Sequence, residues 1–250
     1  MAKKLIFLGD VHLAPWNPGR ADALCHFIDS RRRDAEAIYI LGDLLDFWVG
    51  AKQRRLPEWG TFLERLGRLA RTGPPIRILG GNRDYLLDRP SLEPYGLESL
   101  GVEHCFEHDD RRFCLVHGHM QFPDPLHSRL FLRFIQGRFM CFVARAVPLW
   151  MSLLVAGSLR RWRRWVCRKT NRAKTRRYEP AAFLPFFDAG ADVVVCGHNH
   201  WAMDYTAQLG RPDRRLFAVG HWAAGPSWLE YADGEFRLVD PRLDRSPPAG

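Results

Sequence analysis

The chain contains no Cys-x-x-Cys pair. Its six cysteines (Cys25, Cys105, Cys114, Cys141, Cys167 and Cys196) stand singly in apolar or strand-like stretches, which excludes a thiolate zinc knuckle and argues against a disulfide framework. Free thiols in a reducing compartment are expected. Long hydrophobic runs are missing as well. Within the basic stretch Pro125 to Tyr178, the longest charge-free run, Ala146 to Leu159, has fourteen residues, short of the roughly twenty that span a bilayer as a helix. Behind the basic Met1-Ala2-Lys3-Lys4, the apolar run Leu5 to Leu8 is too short for an export signal, so a cytoplasmic protein is expected. No internal repeat is present. Apolar residues at 46% and charged residues at 26% are ordinary for globular chains and exclude disordered, collagenous and coiled-coil classes.

The most uneven absence is of negative charge. From Pro125 to Tyr178 there is no Asp or Glu against fourteen Arg and Lys, so a chain of net charge +9 consists of a mildly acidic body and one strongly basic segment. That segment is also apolar at helical spacing, with Leu130, Phe131, Phe134, Ile135, Phe139, Phe142 and Val143 three and four apart, and Trp150, Trp162 and Trp165 following. Such an element suits an anionic partner: a membrane surface against which it lies, or an amphipathic ligand over which it forms a cap. The plainer alternative is a core-packed helix pair with a solvated basic face.

Elsewhere, short β-branched and aliphatic runs end abruptly in polar clusters: Leu5–Leu8 before Gly9-Asp10, Ala37–Leu41 before Gly42-Asp43, Ile76–Leu79 before Gly80-Gly81-Asn82, Phe113–Val116 before His117-Gly118-His119, and Val193–Cys196 before Gly197-His198-Asn199-His200. Runs of this kind predict strands buried on both faces. The spacing predicts helices over Asp22–Arg33 and Glu58–Arg71 between them, hence a layered α/β fold. Later strands are expected at Asp204–Leu209, Arg215–Val219 and Trp228–Leu238, with turns at Gly210 and Asp233-Gly234. At 250 residues the chain fits a core of residues 1–124 and 179–240, a helical insertion at 125–178 and a Pro-rich flexible tail at 241–250.

Each of the five strand ends carries a group able to bind a cation. Asp10 and His12 are two apart, a spacing that turns both the same way from an extended segment. Asp43 follows a glycine that admits close backbone approach and could bridge two ions. Asn82 offers an amide oxygen, and His117, His198 and His200 offer imidazoles. Any one of these is weak evidence, but seven on successive strand termini point to a ligand site. Carboxylate, amide and imidazole without thiolate favour Mn²⁺ or Fe²⁺ and allow Zn²⁺, Co²⁺ or Mg²⁺. Two such ions about 3.5–4 Å apart serve phosphoester hydrolysis.

The ordered set Asp10-x-His12, Gly42-Asp43, Gly81-Asn82-Arg83-Asp84, His117 and Gly197-His198-Asn199-His200 resembles the calcineurin-like metallophosphoesterases. The resemblance implies a four-layer αββα sandwich with a helical lid insertion and a dinuclear centre. Asp10, His12, Asp43 and His200 would form site one; Asp43, Asn82, His117 and His198 would form site two. Arg83 stands where most relatives carry histidine, and Gly-Asn-Arg-Asp before Tyr85-Leu86 is similar to the UDP-2,3-diacylglucosamine pyrophosphatases of lipid A synthesis. This likeness implies an Mn²⁺-dependent hydrolase that cleaves the diphosphate of a lipid-linked nucleotide sugar to UMP and a lipid monophosphate. Arg83 and Asp84 would be catalytic, with Asp84 orienting Arg83 or a ligand histidine. Asn82, Arg83, Asp124, Asn171 and Lys174 would touch substrate, and the protein would sit peripherally on the cytoplasmic face of the inner membrane. Departures from that pattern are His119 in place of Asp and Gly220-His221-Trp222 in place of Gly-x-Trp-His. A phosphodiesterase or phosphatase acting on another nucleotide, a nucleic acid or a lipid phosphate, and a non-catalytic membrane-surface platform, remain the alternatives.

Overall fold

The computed structural model describes residues 3–122, 130, 133–170 and 177–243, with side chains except those at 138, 139, 159, 160 and 162–170. Strands β1 (Lys4–Leu8), β2 (Ala35–Leu41), β3 (Ile76–Leu79) and β4 (Glu98–Gly101) run parallel, and β10 (Trp228–Ala232) and β11 (Glu235–Val239) add antiparallel strands beyond β1. This six-stranded sheet, ordered β11-β10-β1-β2-β3-β4, faces a five-stranded one ordered β5-β6-β7-β9-β8. The latter comprises β5 (Glu103–His108), β6 (Arg111–Val116), β7 (Val193–Cys196), β8 (Met203–Asp204) and β9 (Arg215–Ala218).

Strand alternation builds the layers. In β1, Leu5 and Phe7 point between the sheets, where they meet Tyr39, Leu79, Phe113, Leu115, Val193, Val195 and Phe217. Ile6 and Leu8 point outward into a second core with Leu24, Phe27 and Ile28 of α1 (Pro18–Ser30) and Trp59, Phe62, Leu63 and Leu66 of α2 (Pro57–Thr72). The outer face of the other sheet carries a third core, where Cys114, Val194 and Leu216 meet Tyr178, Phe183, Phe187 and Tyr205. Strands apolar on both faces therefore give two sheets, each covered on its outer side: a four-layer αββα sandwich.

Several elements differ from the sequence expectation. The helix predicted from Asp22 starts earlier, at Pro18, because proline at the first turn gives up no hydrogen bond. The strand predicted over Asp204–Leu209 stops at Asp204, whose carboxylate accepts the Thr206 N–H at 2.8 Å and turns the chain into a 3₁₀ turn, Thr206–Gln208. Strands β4 and β5 have too few apolar residues to be legible. Cys105 and Cys114 correct the free-thiol expectation: the two-residue Asp109-Asp110 turn sets them directly opposite, Cα atoms 4.2 Å apart, and they form a disulfide. Cys25, Cys141 and Cys196 carry free thiols.

After α3, a single turn over Arg89–Leu92, come the helices of the basic segment, α4 (Arg138–Ala146) and α5 (Leu149–Thr170); α6 (Leu184–Asp188) follows. Cys141 and Ala144 of α4 pack on the helical layer beside the larger sheet. Lys52 donates to the Ala144 carbonyl at 2.8 Å and also to that of Val147, a cation at a helix C-terminus where it is favoured. Arg145 pairs with Asp88 at 2.6 Å. The segment leaves Phe134, Phe142, Trp150, Leu154 and Val155 more than half exposed. Among the described residues, no helix is long and apolar enough to cross a membrane.

Phe113 is fully buried between the sheets, its ring 5.1 Å from Tyr231, 5.4 Å from Phe106 and 6.0 Å from Phe7. Phe113→Ala should therefore cost about 3–5 kcal/mol in urea unfolding of the metal-free protein, the loss typical of a large core aromatic; a cost under 1 kcal/mol would contradict this packing.

Candidate metal centre

The C-terminal ends of β1, β2, β3, β6 and β7 open onto one edge of the sandwich, and the loops there carry Asp10 and His12, Asp43, Asn82, His117, and His198 and His200. Five of these residues have left-handed backbone: Asp10 and His12 (φ 52°), Asp43 (φ 50°), His198 (φ 68°) and His200 (φ 66°). The other non-glycine residues of positive φ, Asp109, Asp110 and Asp233, lie in hairpin turns, so beyond those turns this conformation is concentrated at one site among the described residues. Such conformations cost on the order of 1–3 kcal/mol each and persist where the surroundings hold them. Close approach requires small neighbours too: a Cβ on Gly81 would lie 2.2 Å from Asp43 Oδ1.

The donor atoms converge in two adjoining groups. Asp10 Oδ1 lies 3.6 Å from His12 Nε2 and 3.5 Å from His200 Nε2, while those two nitrogens are 3.2 Å apart. In the second group, Asn82 Oδ1 is 3.0 Å from both His117 Nε2 and His198 Nδ1, and these nitrogens are 3.3 Å apart. Asp43 joins the groups, with Oδ2 3.8 Å from His12 Nδ1 and Oδ1 3.6 Å from His117 Nε2. Asp10 also reaches across: it clusters with Asp43 and His117 as well as with His12 and His200. His117 Nδ1 donates to the Leu41 carbonyl at 2.8 Å, which makes Nε2 the atom that can turn to a cation. Neutral ring nitrogens facing each other at 3.2–3.3 Å need a proton or a cation between them. Asp10 Oδ1 and His12 Nδ1 are buried without a hydrogen-bond partner. The donor set fits divalent metal ions.

Electrostatics agree with that reading for three of the four imidazoles, whereas His117, which burial alone would lower, is held above its ordinary value by Asp43 and Asp10. Burial pushes His12 down to about 2, helped by Arg83, and takes His200 to about 3, helped by His221; burial and then His117 hold His198 well below the ordinary value. These rings are neutral, the form that ligates. Burial raises Asp10 to about 7 against the pull of His117. Asp43 is equally buried, but His117, His12 and Arg83 outweigh the desolvation and hold it below the usual carboxylate range.

The residues around the cluster divide clearly. Arg83 directs Nε to Asp43 Oδ2 at 3.3 Å and Nη1 to Asp46, with about a third of its side chain exposed at the mouth. The wholly buried carboxylate of Asp84 accepts the N–H groups of Gly81 (2.7 Å), Asp43 (3.1 Å) and Leu45 (3.1 Å), which makes it the clamp between two ligand loops, and its charge acts on the ligand His117. His119 packs 5.5 Å from His117 and 6.1 Å from His198, with Nε2 3.3–3.4 Å from the Gln136 amide in the basic segment. Asp124, Asn171 and Lys174 lie outside the described residues. Sequence reasoning missed Arg20, which donates to the carbonyls of Val11 and His12 (3.0 and 3.4 Å), and Tyr178, whose hydroxyl donates to Gly197 O at 2.8 Å. It also missed Arg242, which donates to His200 O at 2.8 Å from a segment expected to be loose tail. No spacing signals these long-range contacts.

The model of the calcineurin-like phosphoesterase family matches residues 3–202. Among curated relatives, a UDP-2,3-diacylglucosamine hydrolase of Histophilus somni is 25% identical over 95% of this chain and 100% of its own. Those of Sodalis glossinidius (28%; 90% of this chain, 92% of its own) and Aeromonas salmonicida (28%; 98% and 96%) are similar over comparable spans. Among solved structures, a dimetal phosphatase from Danio rerio shares the fold at a TM-score of 0.51 and 14% identity, over 95% of each chain.

Because Asp10 holds a proton below about pH 7 in the metal-free protein, a cation must displace it there. Affinity for Mn²⁺ should weaken as pH falls from 8 to 6, with proton uptake by the buffer on binding, read by titration calorimetry in buffers of different ionisation enthalpy. An affinity flat across that range would contradict the assignment of Asp10.

Proposed function

The chain belongs to the calcineurin-like phosphoesterase family, and we propose that it hydrolyses the diphosphate of UDP-2,3-diacylglucosamine to UMP and 2,3-diacylglucosamine 1-phosphate, a step of lipid A biosynthesis. The observation that carries this is a full donor set, seven groups in two clusters sharing Asp43, in a chain alike over nearly its whole length to hydrolases of that name. Asp10, His12, Asp43 and His200 would hold one ion and Asp43, Asn82, His117 and His198 the other, with Mn²⁺ the preferred metal for such hard and borderline donors. When bound, two divalent ions acidify water at neutral pH and neutralise phosphoryl oxygens during in-line displacement.

The protein's own residues supply the rest. Arg83, permanently charged and planar, offers its exposed edge to two phosphoryl oxygens, while Asp43 and Asp46 keep it from swinging away. A sugar or nucleotide phosphate leaves without a proton, which makes a titrating acid dispensable and an arginine sufficient where most of the wider family carries histidine. Asp84 fixes the loops of Asp43 and Asn82, so the cation cage does not reorganise during reaction. Asn82 would touch substrate as well as metal, and Asp124, Asn171 and Lys174 would contribute further contacts.

The basic segment would serve the lipid half. Its exposed Phe134, Phe142, Trp150 and Leu154 are apolar surface for acyl chains, and its cations suit a diphosphate or an anionic leaflet at about 1 kcal/mol each. The protein would then work in the cytoplasm, peripherally at the inner membrane.

In an Mn²⁺-supplemented assay of UMP release, UDP-2,3-diacylglucosamine should be turned over far faster than the same nucleotide sugar without acyl chains. Equal or absent turnover of both, with activity on a generic phosphodiester, would leave a metal hydrolase and sink the lipid substrate. Asp43→Ala and Asn82→Ala should each lower kcat by more than about a hundredfold, beyond the loss usual for an outer partner of a ligand, with an unchanged circular dichroism spectrum. Retained turnover would remove the site.

A further inference from the structure

Directly after the ligand His200 stands Trp201, with 47% of its surface exposed and absent from all three apolar cores. An indole there contributes little to folding, yet it is held firmly. Its backbone N–H donates to Asn199 Oδ1 at 3.0 Å, and the Arg242 guanidinium covers one side of the ring, 5.2 Å from the centroid. Arg242 is itself locked, giving two bonds to the buried Asp240 carboxylate (2.8 and 2.6 Å) and a third to the His200 carbonyl at 2.8 Å. The indole is thus a rigid plate with an open surface beside the site-one ligands. Next to the same histidine, the His221 ring lies 5.1 Å from that of His200, and its Nδ1 is buried without a partner.

The two metal groups have different neighbours. The one with Asn82, His117 and His198 adjoins the apolar basic segment through His119 and Gln136. The one with His12 and His200 adjoins Trp201, Arg242, His221 and Arg20. We propose that Trp201, backed by Arg242, is the stacking platform for the pyrimidine base of the nucleotide half, and that the substrate lies with its base over the His12–His200 side and its acyl chains toward the basic segment. This rests on the nucleotide-sugar reading above. A flat base recovers apolar area and dispersion on an exposed indole without needing hydrogen-bond readout, and Arg242 on the far side keeps the ring oriented.

The test measures binding, by calorimetry on the Mn²⁺-loaded protein, of two probes that share the ribose and its 5-phosphate, UMP and ribose 5-phosphate, the second with a hydroxyl in place of the base. The wild type should hold UMP about 5- to 100-fold more tightly, the range that base stacking on an aromatic side chain confers. Trp201→Ala should bring UMP down to the level of ribose 5-phosphate, and Trp201→Phe should keep most of the advantage. Affinity for ribose 5-phosphate should stay unchanged in both variants, a control that a misfolded site would fail. If Trp201→Ala keeps the UMP advantage, the platform is wrong while the nucleotide reading stands. If the wild type does not distinguish the probes, the platform is overturned, and UMP release from the diacylated substrate then decides separately whether the nucleotide reading survives.

Discussion

Asp43 is a carboxylate without access to water, placed where His12 on one side and His117 on the other come within 3.8 and 3.6 Å. A buried anion is costly unless compensated, and here the compensation is the site itself: histidines, the Arg83 guanidinium and, by the chemistry of the donor set, divalent cations. Removing the charge would take away a carboxylate that both groups of ring nitrogens share and leave that part to Asp10. The surrounding loops bend to serve this arrangement, with left-handed backbone at Asp10, His12, Asp43, His198 and His200.

Strain of that kind requires a stiff frame. Asp84 provides part of it by gathering three backbone N–H groups from the loops after β2 and β3. Tyr178 and Arg242 provide another part, hydrogen-bonded to the carbonyls of Gly197 and His200. Behind the loops, two sheets share a dense aromatic core in which Phe7, Tyr39, Phe106 and Phe113 stack at 5.0–6.0 Å. Close packing of this type is hard to compress, so the ligand loops keep their spacing, while the basic segment is attached beside them through Lys52, Arg145 and Gln136.

That division would match the chemistry of the proposed substrate. A diphosphate between a nucleotide and an acylated sugar has one flat polar end, one charged centre and one greasy end. The protein offers an exposed indole, a cation cage with an arginine at its mouth, and a helical segment rich in exposed Phe, Trp and Leu. Specificity of this sort comes from placing unlike surfaces in the right order around one reactive centre.

The residue types at the strand ends made the metal chemistry legible in sequence, because carboxylate, amide and imidazole groups recurring after five buried runs have few other uses. The layering was legible for the same reason: runs apolar on both faces require cover on both sides. Tertiary structure alone decided what depends on distant partners. The Cys105–Cys114 bond follows from hairpin register, the clamp role of Asp84 from the convergence of two loops, and the anchoring of His200 by Arg242 from a contact 42 residues long. Local pattern records which face of a strand is buried, since that is a property of neighbours in the chain; it carries no record of which remote carbonyl a guanidinium will find, since that is settled only when the sheets pack.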